Sequence, residues 1–336
     1  MKNSQPIKIN RHLFLIVFLQ VVLFFLSIDN LSFGQVAPLL MLPGHEESIN
    51  CLVYSPDGKQ LVSGSKDGKV KIWDVAHSYT EIKTLAVSRE AISGLSFSHD
   101  GTMIAIGTYK KLLILNAISL KKISTIKKAH TTFVKAVHFT SDDNFLVSSS
   151  WKENSLMMWS VEKGKLKKVR KFAESNWTDD ADFTTDGKYI VSVNHDNTAK
   201  QWDVQTGNVV RTFAGHTDWI YALKITSDQK LLITASIDNT LHLWDMNSGR
   251  LLNTLEGHTE GVTGLSLSID NRYIASCGLD STVLIWELGK TIPIARFKAS
   301  SVILSVEFSP DRMHVASAGN DRIISIWDIR PYLKKD

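Results

Sequence analysis

Cysteine is nearly absent from this chain: of 336 residues, only Cys51 and Cys277 carry a thiol. Two cysteines so far apart supply neither the paired spacing of a zinc site nor a disulfide framework, and they read as small buried hydrophobes. The motifs that announce catalysis are missing as well. There is no Gly-x-Ser-x-Gly elbow, no His-Glu-x-x-His and no glycine loop fit to cradle a phosphate, so no catalytic residue, cofactor or metal is expected. Net charge is small too. The formal balance of +4 falls to +2, thirty-five basic against thirty-three acidic side chains, once residues 1–34 are set aside. So near neutrality, nucleic acid is not the expected ligand. No stretch rich in proline or glycine divides residues 36–330, which argues for one domain despite its length.

What the chain does have is repetition. Residues 215–245 hold three alternating apolar runs, Ile220 to Ile225, Leu231 to Ala235 and Leu241 to Trp244, parted by polar turns at 227–229 and 238–239. Alternation of that length reads as three antiparallel strands. His216, Asp238 and Trp244 recur as His258, Asp280, Trp286 and as His45, Asp67, Trp73, with Asp 22 and Trp 28 residues after the His each time. Four residues before each Asp stands a hydroxyl: Thr234, Ser276 and Ser63. Such groups are costly under a sheet unless they bond to one another. A relay from Trp N–H to hydroxyl to His to Asp satisfies every member and pins the loop before the first strand to the turn after the second.

The Gly-His and Trp-Asp pairs at this spacing resemble the WD-repeat β-propeller family. The resemblance implies an all-β fold of four-stranded antiparallel blades around an axis, and a structural, non-catalytic task for the repeated His, Asp and hydroxyl residues. With the Trp position as a ruler, Trp73, Leu115, Trp159, Trp202, Trp244, Trp286 and Trp327 follow one another at intervals of 41 to 44 residues, which gives seven blades. The last unit lacks a fourth strand of its own. Leu39 to Leu42 is therefore expected to lie beside Ile323 to Trp327 and close the ring, since an open ring would leave unpaired edges in water.

The units are unequal. Unit two has Tyr109 and Leu115 at the Asp and Trp positions, so its network is expected to be absent. Unit three keeps His130, Ser149 and Trp159, with Glu153 for Asp and one residue inserted; unit four has Glu174 at the His position beside Ser192, Asp196 and Trp202. Unit seven has Ala299 there, with Ser317, Asp321 and Trp327. Only units one, five and six read as complete.

Residues 1–34 stand outside the repeat. Lys2, Lys8 and Arg11 precede an apolar run from Leu13 to Leu26, and small residues follow at Ser32 and Gly34. This fits a signal peptide cleaved before Gln35, leaving a propeller of residues 35–336 that is secreted or periplasmic. The alternative is a short uncleaved anchor facing outside the cytoplasm, which would give the chain its membrane contact.

On propellers of this family the side chains three and five residues after the His, and directly before the Asp, ring the entrance to the central channel. Carried onto this chain, blades three to five place there Phe133 and Lys135, Trp177 and Asp179, Trp219 and Tyr221, together with Lys152, His195 and Ile237. Ser48, Asn50, Gly261, Thr263, Val302 and Leu304 take these positions in blades one, six and seven. Aromatics confined to one sector, with Lys and His among them, have the composition of a binding hot spot; they could instead pack on each other and stiffen the loops. Trp151 lies beside Lys152 and extends the patch. The expected function is a monomeric, non-catalytic scaffold for a protein or peptide partner. A quinone-dependent propeller dehydrogenase is the alternative with chemistry, because residues 203–208 (Asp-Val-Gln-Thr-Gly-Asn) faintly repeat that family's Thr-Gly motif. Two basic runs, Lys121, Lys122, Lys127 and Lys128, and Lys163 to Lys171, fall on outer strands. There lysine blocks strand addition, or contacts an anionic surface.

Overall fold

The computed structural model describes residues 36–174 and 176–334, and from Ala37 onward they form one compact unit. The signal-peptide reading falls on residues 1–34 and lies outside the described residues. Strand follows strand from Leu40–Pro43 to Ile323–Asp328, grouped in seven four-stranded antiparallel sheets. The first blade is Ile49–Tyr54, Gln60–Ser65, Lys69–Asp74 and Thr80–Ala86, and the rest repeat that order. Within a blade the middle two strands carry the longest apolar runs and are buried on both faces, as in Gln60–Ser65 and Lys69–Asp74. The fourth strand is the outer edge and is largely exposed, as in Thr80–Ala86.

Each hairpin from the first to the second strand turns on the same chemistry. In blade one the Ser55 hydroxyl donates to Asp57 at 2.6 Å, while the backbone N–H groups of Lys59 and Gln60 donate back to Asp57 and Ser55. Ser98 with Asp100, Thr140 with Asp142, Thr184 with Asp186, Thr226 with Asp228, Ser268 with Asp270 and Ser309 with Asp311 repeat that hydroxyl-to-carboxylate bond in the other six blades. A short side chain that bonds its own backbone two residues on specifies a tight turn.

The ring closes as expected. Leu40, Met41, Leu42 and Pro43 pair antiparallel with Ile326, Ser325, Ile324 and Ile323, so the earliest described strand completes the seventh blade. The first strands of neighbouring blades touch all the way round, the seventh blade returning to the first. Consequently there is no single core. Seven apolar clusters each lie between two adjacent blades, such as Ile72 and Val62 of blade one against Ile104 and Leu113 of blade two. No blade buries both faces without its neighbours, which is why the repeats cohere as one domain.

Candidate functional site

The repeated polar residues meet inside each blade. In blade one Trp73 Nε1 donates to Ser63 Oγ at 3.0 Å, Ser63 lies 2.8 Å from His45 Nε2, and His45 Nδ1 lies 3.0 Å from Asp67. The Asp67 carboxylate also accepts from the Glu46 backbone N–H at 3.0 Å. Blade five repeats the chain through Trp244, Thr234, His216 and Asp238, and blade six through Trp286, Ser276, His258 and Asp280. Burial alone would push the Asp280 carboxyl up, but the His258 imidazole that donates to it holds it down at about 2.

Two departures from the expected network come from blades three and four. In blade three the hydroxyl is Ser148, not Ser149: it lies 2.7 Å from His130 Nε2 and accepts from Trp159 at 2.9 Å. The inserted residue sits in the turn after the strand, so the count forward from His130 is preserved and the count back from Glu153 is not. Ser149 points the other way and accepts from the Ala136 backbone N–H. Glu153 reaches His130 Nδ1 at 3.0 Å, so this blade too has a complete network, with the longer acid filling the longer turn. Blade four substitutes a charge pair. Glu174 accepts from Ser192 Oγ, and Lys200 Nζ spans from Glu174 at 3.1 Å to Asp196 at 2.8 Å. Lys200 stands at the strand position opposite Ser192, a place filled by Lys71 in blade one, His242 in blade five and Leu284 in blade six. In blade seven Ser300 replaces the missing His by donating 2.6 Å to Asp321, and Trp327 donates to Ser317.

The rim residues assemble across blades. Trp151 packs edge-on against Trp177 with ring centroids 6.2 Å apart; Trp177 lies 5.3 Å from His195, and His195 stacks on Trp219 at 4.3 Å and 18°. Tyr221 closes the row 6.3 Å from His195. Lysines sit over the rings: Lys152 over Trp151 and Trp177, Lys135 over Tyr221. His195 Nε2 bonds to the Asp179 carboxylate, and Lys135 Nζ lies 3.5 Å from the other carboxylate oxygen, an ion pair without hydrogen-bond geometry. Phe133 stands apart from this row and pairs with Tyr109 of blade two, centroids 5.0 Å apart. The aromatics therefore do pack on one another, yet Trp219 keeps 43 % of its surface exposed.

Residues 37–74, 120–160, 167–203, 207–245, 249–287 and 292–328 match the family model described as "WD domain, G-beta repeat", which covers more than half of the chain. The chain belongs to the WD-repeat family. The unmatched stretch between 75 and 119 contains most of blade two, the blade whose Trp and Asp positions hold Leu115 and Tyr109. The nuclear distribution protein nudF of Emericella nidulans is 30% identical over 183 residues, 53% of this chain and 41% of that protein. Autophagy-related protein 16 of Arabidopsis thaliana is 26% identical over 52% of this chain and 33% of its own length. Guanine nucleotide-binding protein subunit beta-5b of Danio rerio is 29% identical over 37% of this chain and 33% of its own length. The chain thus spans less than half the length of these curated relatives.

In this WD-repeat ring the residues five places after the His position surround a cavity of about 460 Å³ at the channel mouth: Asn50, Lys135, Asp179, Tyr221, Thr263 and Leu304. Farther in, the channel is charged. His138 lies 3.5 Å from Asp180, and Lys224 and Glu307 line both this cavity and the one at the opposite mouth. The dehydrogenase-like residues 203–208 are a hairpin turn, in which the Asp203 carboxylate accepts from the Thr206 backbone and hydroxyl. Asp245 and Ser248 build the same turn in blade five. His216, Asp238 and His242 gather donor atoms within 4.8 Å of one another, but both His216 nitrogens are already bonded within the WD-repeat network. Both cysteines are free, and burial pushes each thiol up to about 12, which removes thiolate chemistry.

Sequence reasoning located the rim and the blade networks but missed Ser148, Lys200 and the seven Ser/Thr-x-Asp turns. The turns had a signal, a hydroxyl two residues before an Asp at the first hairpin of every repeat. Lys200 had none, because its partner Glu174 lies 26 residues away and only sheet pairing brings the two together.

Proposed function

We propose that this WD-repeat propeller is a non-catalytic scaffold that holds a protein or peptide partner on the rim formed by Trp151, Trp177, His195, Trp219 and Tyr221. One observation carries the reading. Trp219 keeps 43 % of its surface exposed while stacked on the buried His195, whose partner Asp179 lines the 460 Å³ cavity and whose Nδ1 has no hydrogen-bond partner among the described residues. Large aromatic surface beside lysine is what interface hot spots are made of. The relatives support an assembly role, one of them being named as a subunit of a guanine nucleotide-binding protein.

The test is site-directed photocrosslinking from position 152, followed by identification of the attached chains. Trp177→Ala and Trp219→Ala are expected to abolish crosslinking, while Ser48→Ala and Val302→Ala, in blades one and seven, leave it intact. Equal loss in all four variants overturns the assignment. For the location of the scaffold, the apolar run from Leu13 to Leu26 supports export with cleavage before Gln35. Sequencing the amino terminus of the mature protein tests it, and a chain that still begins at Met1 sinks the cleavage.

A further inference from the structure

The lysine runs end up on one continuous surface. The outer strand of blade two, Lys122–Ile126, lies against the outer strand of blade three, Lys165–Ala173. Ser124 Oγ donates to the Gly164 carbonyl at 2.7 Å, and a Cβ on Gly164 would stand 2.8 Å from Ile123, so the two edges touch without a gap. Nine lysines between 121 and 171 are exposed on or beside these strands, Lys135 and Lys152 of the rim not counted, and the only exposed acid on their paired segments is Glu162. The single arginine of the strand is committed elsewhere: Arg170 donates to the carbonyls of Gln205 and Thr206, both at 2.9 Å.

Protection of sheet edges does not account for this. The fourth strands Leu251–Glu256 and Leu40–Pro43 have no basic residue, and Val209–Ala214 has one. They leave Leu251, Leu252, Met41, Val209 and Val210 exposed, so this ring keeps apolar edges in water without lysine. The lysines of blades two and three therefore have another task, and their chemistry narrows it. Lysine is a compact point charge suited to diffuse attraction by a charged surface, whereas readout of a polynucleotide favours the arginine fork, and the arginine here is occupied. Exposed aliphatic side chains lie among the ammonium groups, Val169 at 51 % and Ile123 at 37 % exposed. Those serve a headgroup layer, which has apolar depth beneath its charge, and serve an acidic polysaccharide not at all.

We propose that the side of the propeller formed by blades two and three rests on the headgroup surface of an anionic lipid bilayer. The contact is separate from the aromatic rim, so membrane and partner can be held together. The test is sedimentation of the full chain with vesicles of phosphatidylcholine, with and without phosphatidylglycerol. Binding to the anionic vesicles is expected to exceed binding to the neutral ones, and to fall steeply between about 50 and about 500 mM salt. Replacing Lys165, Lys167, Lys168 and Lys171 with Gln is expected to weaken binding at least about ten-fold. Lys121→Gln with Lys122→Gln, in the neighbouring blade, gives a second reading from an independent strand. Neutralising Lys59, Lys188 and Lys230, which pair with aspartates in turns at one mouth of the ring, removes comparable charge and is expected to change nothing. The proposal is overturned if both outer-strand variants bind anionic vesicles like the parent, which would assign binding to the amino-terminal segment. Equal binding to neutral vesicles overturns it, as does binding to double-stranded DNA through these lysines without binding to vesicles.

Discussion

The imidazole of His195 lies flat on the indole of Trp219, centroids 4.3 Å apart, and so ties a turn of blade four to the entrance of blade five. His195 is only 8 % exposed, yet it fixes the orientation of the most exposed aromatic of the rim. An aromatic pair of this kind contributes about 1 kcal/mol beyond its buried area. His195→Ala is therefore expected to lower stability by roughly 1 kcal/mol, to red-shift tryptophan emission and to weaken partner binding without removing a surface contact. An unaltered emission spectrum would show that Trp219 is held by something else.

The hydrogen-bonded chain inside the complete blades gives a graded prediction. Trp244→Phe removes one donor from Thr234, which keeps its bond to His216, whereas Asp238→Ala leaves His216, the Thr217 backbone N–H and both donors of Thr240 without their acceptor. Each is expected to cost roughly 1 to 3 kcal/mol, with Asp238→Ala the larger. Chemical denaturation midpoints check the order; unchanged midpoints for both would mean that the network contributes nothing.

Blade four tests a charge pair in place of that chain. Burial raises the Glu174 carboxyl above its usual range even with Ser192 and Lys200 bonded to it, so the acid depends on its counter-charge. Lys200→Met is expected to cost about 3 to 5 kcal/mol. The double change Glu174→His with Lys200→Leu recreates the pattern of blade six and is expected to recover most of that loss.

His242 makes the ring sensitive to acid. Burial, and then the neighbouring His216, lower its pKa from 6.5 to about 4. The unfolded chain takes up this proton near 6.5 and the folded one only near 4, so the unfolded state binds more protons in between and stability falls as pH drops through that window. The loss amounts to roughly 2 to 3 kcal/mol at its lower end. His242→Leu, matching Leu284 of blade six, is expected to flatten the stability profile between those values; a profile with the same slope would remove His242 as the cause.

Closure of the ring rests on a short strand. Leu39 is exposed and its backbone N–H donates to the Ile326 carbonyl at 2.7 Å, so Leu39→Pro removes a ladder bond and little packing. A drop of about 3 kcal/mol or more is expected in the unfolding free energy, together with association of chains through the freed edge, measurable by light scattering.

The sequence alone determined the repeat, the seven blades, the spacing from His to Asp to Trp and the need for Leu39 to Leu42 to finish the last sheet. All of these follow from contacts inside one hairpin, or from counting strands, and period-2 alternation with turn residues writes both into local order. Tertiary structure alone decided that Ser148 and not Ser149 joins His130, that Lys200 bridges Glu174 and Asp196, that Phe133 leaves the rim cluster for Tyr109, and that two lysine runs form one surface. Each of these depends on strand register beyond an insertion, or on how one sheet is set against its neighbour. Residues some forty apart meet there across an apolar interface, and nothing in their local spacing records the angle at which the sheets pack.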